Sequence, residues 1–137
     1  MTTIKSFTDI DQSKILAKIL PLESADMYFI GHQSITNPKE WEYGDTPKVR
    51  HEYIAFDNKR IYFPCWSLSA LLEQFPYELC DDEGNSSYLQ INKEDDMYQL
   101  VYTDPYSDFE SIETDRYEHF IDACVEFILK LNELNLL

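Results

Sequence analysis

The spacing of apolar and polar positions along the chain predicts a short helix as the first element, followed by a strand. Asp9 can cap the helix, because Gln12 stands three residues later in the capping-box position. The apolar face of this helix comprises Ile15, Leu16, Ile19 and Leu20. Pro21 should end the helix, since the residue before a proline avoids helical angles. The strand MYFIG (27–31) follows, and the proline and glycine residues within 32–48 indicate a long loop.

Two hairpins are predicted further along the chain. The first pairs the apolar runs 49–56 and 60–63. The second pairs SSYLQI (86–91) with MYQLVYT (97–103) through the charged connection NKEDD. Residues 104–115 are acidic and indicate a loop.

A second helix lies between the two hairpins, in the segment FPCWSLSALLEQFP (63–76). Ser67 is a favourable N-cap for a helix over residues 68–75, and Pro76 should stop that helix. The segment is therefore typical of a strand end, a capped turn and a short helix.

A long C-terminal helix is predicted from about residue 115 to residue 135. Its apolar stripe comprises Tyr117, Phe120, Ile121, Cys124, Ile128, Leu131 and Leu134. Antiparallel hairpins interrupted by helices indicate an α+β fold, with a mostly antiparallel sheet and helices packed on one face. The length of 137 residues suits a single domain over residues 1–137.

Composition says more about partners than about the fold. The chain has 26 acidic and 11 basic residues, which gives a net charge of −15. Such a surface repels phosphate backbones and anionic membranes, so we expect neither direct nucleic-acid binding nor membrane association. A basic protein partner is favoured, and a purely solubilising role for the charge is the alternative. The pattern does not specify an oligomeric state.

The compartment can be inferred from the N-terminus and the cysteines. Residues 1–14 contain no apolar signal region, and no run of about 18 apolar residues occurs that would span a membrane. Cys65, Cys80 and Cys124 are an odd number without close spacing, which suits thiols in a reducing compartment. We therefore expect a cytoplasmic protein.

Half of the acidic residues lie between residues 78 and 118. This segment holds 13 of the 26 acidic side chains, against Lys93 and Arg116. Aromatic residues are interleaved with them, and carboxylates beside aromatic rings attract arginine and lysine. The partner-binding residues predicted from this pattern are Asp81, Asp82, Glu83, Glu94, Asp95, Asp96, Asp104, Tyr106, Asp108, Phe109 and Glu110. An acidic face of this kind can also imitate a nucleic-acid backbone and inhibit a nucleic-acid-binding protein.

A Cys–His enzyme is the rival hypothesis. Cys65 precedes a predicted helix, where unpaired amides lower the pKa of a thiol. If the first hairpin places Phe56 near Arg60 or Ile61, His51 lies opposite Cys65 or Trp66 and is the candidate base for the Cys65 thiol. The helix cap explains this segment without any chemistry, so the preferred hypothesis is non-enzymatic.

A small-ligand module is the third hypothesis, with a pocket lined by Trp41, Tyr43 and Trp66. No phosphate-binding glycine loop, nucleophile elbow or zinc motif occurs in the sequence. A calcium-binding loop that began at Asp81 in DDEGNSS (81–87) would have its glycine at the fourth position instead of the sixth, and its twelfth residue would be Asn92 instead of glutamate. A solvated turn is therefore expected there, and neither a metal nor a cofactor is expected.

Three segments resemble a known family when they are taken together: ILPLESADMYF (19–29), PCWSLSALLEQFP (64–76) and IDACVEFILKLNELNLL (121–137). They resemble small acidic proteins of Bacteroides-type bacteria, their phages and their mobile elements. The family has no assigned activity, so the resemblance implies no catalytic or binding residue. It implies a phage or mobile-element setting, in which such proteins often antagonise host machinery or serve replication and packaging.

Overall fold

The structure, a computed structural model, describes residues 5–51, 54–56, 61–104, 106 and 110–137. The chain divides into two compact units, residues 6–70 and residues 71–137 together with Lys5. Each unit contains an antiparallel sheet, and the elements include both helices and strands, so the predicted α+β class is confirmed. The single domain over residues 1–137 stays a prediction.

The first unit is built around one central strand. Its elements are α1 (Ile10–Leu16), β1 (Met27–Gln33), β2 (Trp41–Tyr43), β3 (Lys48–Val49) and β4 (Tyr62–Cys65). All three other strands pair antiparallel with β1. Because Met27 pairs with both Val49 and Cys65, β3 and β4 lie on opposite edges of β1.

The predicted hairpin between residues 49–56 and 60–63 is wrong in the part that the structure describes. β3 and β4 each pair with β1, residues 54–56 are not in a strand, and residues 52–53 and 57–60 lie outside the described residues. Of the first predicted run only Val49 lies in a strand, whereas Tyr62 and Phe63 of the second run lie in β4. The sequence pattern could not identify their partner, because β1 offers two edges to any apolar run that reaches it.

Part of the predicted loop 32–48 is strand. Tyr43 in β2 pairs with Gly31 of β1, and its ring packs edge-on against Phe63 with 5.4 Å between the centroids. The core beneath it comprises Phe29, Phe63 and Cys65, with Phe7, Ile10, Ala17, Met27 and Tyr43 packed against them.

The helix α1 begins as predicted and ends early. The Asp9 carboxylate accepts a hydrogen bond from the Gln12 amide at 2.8 Å, and the Gln12 side chain accepts one from the Asp9 amide at 3.1 Å. This is the capping box inferred from the sequence. The helix ends at Leu16, well before Pro21. Leu16 is buried and Ile15 is exposed, so the predicted apolar face is only partly correct.

The predicted cap of the next helix is also present. The helix α2 (Leu68–Leu72) follows Ser67, whose Oγ accepts a hydrogen bond from the Ala70 amide at 3.2 Å. Asp26 in turn accepts hydrogen bonds from the amide and the hydroxyl of Ser67. The helix ends at Leu72, earlier than the predicted end at Phe75.

The second unit contains a four-stranded antiparallel sheet and one long helix. Its elements are β5 (Glu78–Cys80), β6 (Ser86–Glu94), β7 (Met97–Thr103), β8 (Ile112–Glu113) and α3 (Phe120–Glu133). The strand order is β5-β6-β7-β8. The predicted second hairpin is confirmed, and β6 extends three residues further than expected. The connection is a two-residue turn, Asp95 and Asp96, with φ values of 52° and 59°.

The helix α3 packs on the sheet of its own unit, as predicted. The rings of Tyr102 and Phe127 lie 5.4 Å apart, and the Tyr102 hydroxyl donates a hydrogen bond to the Pro76 carbonyl at 2.6 Å. The buried residues of α3 are Ile121, Ala123, Cys124, Val125, Phe127, Ile128 and Leu131. The helix begins at Phe120, later than predicted, because Tyr117 forms a β-bridge with Tyr98.

Candidate functional site: an acidic cleft at one end of the second sheet

The strand order of the second unit decides where the acidic residues lie. In an antiparallel sheet, successive connections alternate between the two ends of the strands. The β5–β6 turn and the β7–β8 connection therefore lie at one end, and the β6–β7 turn lies at the other. Since β6 has nine residues, the two ends are about 25–30 Å apart.

The predicted partner-binding residues consequently fall into two groups. The group at the end where β6 begins comprises Asp81, Asp82, Glu83, Asp104, Tyr106 and Glu110. The group at the opposite end comprises Glu94, Asp95 and Asp96. Asp108 and Phe109 lie outside the described residues.

A cleft of about 770 Å³ opens at the first of these ends. We call it the acidic cleft. It lies between the β5–β6 turn, the segment around β8 and the C-terminal part of α3. The acidic residues that line it are Asp81, Asp82, Glu83, Glu110 and Glu113. The first four belong to the set predicted from the sequence, and Glu113 was missed.

Asp81 shapes one wall of the acidic cleft. One carboxylate oxygen of Asp81 accepts hydrogen bonds from the amides of Glu83 at 3.0 Å and Asn85 at 2.8 Å, and the other accepts from the Asn85 side chain at 3.0 Å. The hydrogen bond from the Asn85 side chain is the main cause that lowers the pKa of Asp81. Asp81 is therefore ionised at neutral pH, and the predicted turn over DDEGNSS is present. Within the described ranges, no group of three or more His, Cys, Asp and Glu side chains is placed to hold a metal ion.

Lys130 is the basic residue of the acidic cleft. Its ammonium group donates a hydrogen bond to the backbone carbonyl of Glu113 at 2.6 Å. This contact ties α3 to β8 and leaves the carboxylates of the lining in excess over the single positive charge.

The remaining lining is largely apolar. Leu79, Ile112, Leu134 and Leu136 contribute side chains to the acidic cleft. Lysine and arginine carry a cationic head on an aliphatic stem, and such a stem covers apolar surface while the head remains among polar groups. The combination of apolar side chains and carboxylates is therefore complementary to basic side chains.

The geometry required for the Cys65–His51 pair is not formed. Cys65 in β4 pairs with Met27 on one edge of β1. Val49 in β3 pairs with Met27 on the other edge, and the exposed His51 follows two residues after Val49. The Cys65 side chain is fully buried and its thiol donates a hydrogen bond to the Thr8 carbonyl at 3.3 Å. Burial raises the pKa of Cys65 to about 11, so the thiol stays protonated at neutral pH.

The aromatic residues of the small-ligand hypothesis belong to the packing of the first unit. Trp66 is fully buried, and its indole nitrogen donates a hydrogen bond to the Ser24 hydroxyl at 2.9 Å. Tyr43 packs against the core cluster, and Trp41 is half-buried in β2 opposite Gln33. The three clefts of about 770, 460 and 350 Å³ are lined by other residues.

The fold and the site together define the class: an acidic α+β protein with a negatively charged cleft at one end of an antiparallel sheet. No protein-family model matches the chain, and no curated protein or solved structure matches it either. In the described part of the chain, no helix is long and apolar enough to cross a membrane.

Proposed function

We propose that the protein is a non-enzymatic interaction protein whose acidic cleft binds a basic segment of another protein. The observation that carries this proposal is the placement of five acidic side chains around one cleft with apolar walls. Ion pairs with the carboxylates would draw in lysine and arginine, and the apolar walls would contact their aliphatic stems.

The net charge of the chain supports the same partner. A charge of −15 speeds the encounter with basic proteins and slows the encounter with nucleic acids and anionic membranes. We include in the proposal a cytoplasmic location and the phage or mobile-element setting that the resemblance implies. In that setting, a nucleic-acid-binding protein of the host would be a suitable basic partner.

A comparison of two matched charge variants tests this proposal. The cleft variant carries Asp82→Asn, Glu83→Gln and Glu110→Gln. Asp81 is left intact in it, because that side chain holds the β5–β6 turn. The far-end variant carries Glu94→Gln, Asp95→Asn and Asp96→Asn. It removes the same charge from the opposite end of the sheet.

Each protein is immobilised, exposed to nuclease-treated cell lysate and eluted with a salt gradient. We expect a partner that the wild type and the far-end variant retain and the cleft variant releases at lower salt. A nucleic-acid-binding protein in that fraction would identify the protein as a nucleic-acid mimic. Equal retention by all three proteins, or by none of them, would contradict a specific role for the acidic cleft.

A further inference from the structure

A pair of exposed tyrosines lies on the second sheet, with Tyr77 just before β5 and Tyr88 within β6. Tyr77 is 85% exposed and Tyr88 is 40% exposed, and their rings meet edge to face with 5.9 Å between the centroids at an angle of 71°. Such a contact leaves most of the Tyr77 ring in solvent. Large aromatic side chains normally bury their rings, and exposed ones are enriched where proteins bind their partners.

The sheet places a carboxylate next to this pair. Glu78 of β5 is directly opposite Tyr88 of β6, and Tyr88 is directly opposite Thr103 of β7. Tyr102 points towards α3, where it contacts Phe127. Since side chains alternate along a strand, Thr103, Tyr88 and Glu78 form a row on the face turned away from α3.

The Glu78 carboxylate is held by its neighbours. One of its oxygens accepts hydrogen bonds from the Ser86 hydroxyl at 2.8 Å and the Cys80 thiol at 3.1 Å. These hydrogen bonds, led by that of Cys80, lower the pKa of Glu78, so the group is ionised at neutral pH. The negative charge of Glu78 is in turn the main cause that raises the pKa of Tyr88, and Asp104 adds to it. The phenol of Tyr88 is therefore neutral and its ring lies in a negative field.

We propose that Tyr77, Tyr88 and Glu78 form a docking site for an arginine side chain of the basic partner. This inference rests on the proposed function and identifies the side chain that the partner presents. The guanidinium group is planar, stacks on aromatic rings and forms paired hydrogen bonds with carboxylates. The lysine ammonium lacks the planar shape, so arginine fits the combination of a ring pair and a carboxylate better.

Charge complementarity also decides against a second copy of the chain as the occupant. Two chains of net charge −15 repel each other, and Glu78 and Asp104 add negative charge at this surface. The site therefore fits a cationic partner.

The test is a nuclear magnetic resonance titration with two short peptides that differ at one position. One contains arginine, and the other contains citrulline, which has nearly the same shape and no charge. The variants are Tyr77→Ala and Glu78→Gln. Ile35→Ala removes an exposed apolar side chain from the first unit, and Glu40→Gln removes an exposed charge from the same unit.

We expect the arginine peptide to shift the resonances of Tyr77, Tyr88 and Glu78, with the citrulline peptide shifting them far less. Tyr77→Ala and Glu78→Gln should each weaken binding about two- to fivefold, as an exposed cation–π contact or ion pair would. Ile35→Ala and Glu40→Gln should leave the affinity unchanged.

Equal shifts with both peptides would overturn the inference, as would an affinity that Tyr77→Ala and Glu78→Gln do not change. If the cleft variant alone weakens peptide binding, the arginine site is wrong and the proposed function stands. If lysate proteins are retained equally by the cleft and far-end variants, the proposed function fails whatever the peptides do.

Discussion

At the residue scale, the three cysteines differ sharply in their surroundings. Cys65 and Cys124 are buried, and Cys80 is exposed. Burial raises the pKa of Cys65 to about 11 and that of Cys124 to about 12. The thiolate is the reactive form, so both buried thiols are protonated and unreactive at neutral pH.

We predict that a thiol reagent modifies one cysteine of the native protein at mildly alkaline pH and three after denaturation. The raised pKa values mean that the thiolates of Cys65 and Cys124 appear only at strongly alkaline pH. The thiol reagent is one that releases a chromophore for each thiol that it modifies, and the absorbance of this chromophore is measured over time. Cys80→Ser should abolish the fast phase, and a fast phase that Cys65→Ser removes instead would contradict the buried position of Cys65.

Two buried serines differ in hydrogen bonding, so substitutions at the two positions should have opposite effects on stability. Ser87 is fully buried, and the described residues provide no hydrogen-bond partner for its hydroxyl. Ser13 is equally buried, and its hydroxyl forms a hydrogen bond with that of Thr8 at 2.8 Å. An unsatisfied buried hydroxyl destabilises the folded state, whereas a bonded one stabilises it.

Ser87→Ala should therefore raise the free energy of unfolding by about 1 kcal/mol, and Ser13→Ala should lower it by about 1 kcal/mol. Urea denaturation followed by circular dichroism gives both values. A loss of stability in both variants would show that Ser87 has a partner that the described residues do not include.

At the element scale, the local signals for helix starts and for the second hairpin were read correctly, whereas the helix ends and the long-range strand pairing were not. The Asp9 capping box, the Ser67 cap and the β6–β7 hairpin depend on residues close in sequence, and all three are present. The pairing of β1 with β3 and β4 joins segments that are distant in sequence. Apolar alternation does not encode which edge such strands take.

The β6–β7 turn allows a test at this scale. Asp95 and Asp96 both have positive φ, which a type I′ turn requires and which glycine adopts at lower cost than aspartate. Asp96→Gly should raise the free energy of unfolding by about 0.5 kcal/mol. The urea midpoint at constant slope measures the change.

Asp82→Gly is the matched control, because it removes the same charge from a turn residue without a positive φ. It should give no gain in stability. If Asp96→Gly lowers the midpoint as much as Asp82→Gly does, the backbone of the turn is not the one described.

At the scale of the whole molecule, the sequence predicted the acidic partner-binding residues as one face. The strand order instead places them at two ends of one sheet. The alternation of ends follows from counting antiparallel connections, so this division could have been derived from the predicted strands. The apolar walls of the acidic cleft, formed by Leu79, Ile112 and Leu134, could not have been derived from the predicted strands, because they depend on how α3 lies against the sheet.

Binding of a basic segment by the acidic cleft is tested most directly by the affinity of the purified protein for an arginine-rich peptide, measured by titration calorimetry at low and physiological ionic strength. We predict that the cleft variant loses about tenfold or more in affinity, since three ion pairs of ordinary strength are removed together. The far-end variant should lose no more than about twofold, as general screening of charge predicts. Equal losses in both variants would mean that the peptide responds to net charge alone, and would contradict a binding role for the acidic cleft.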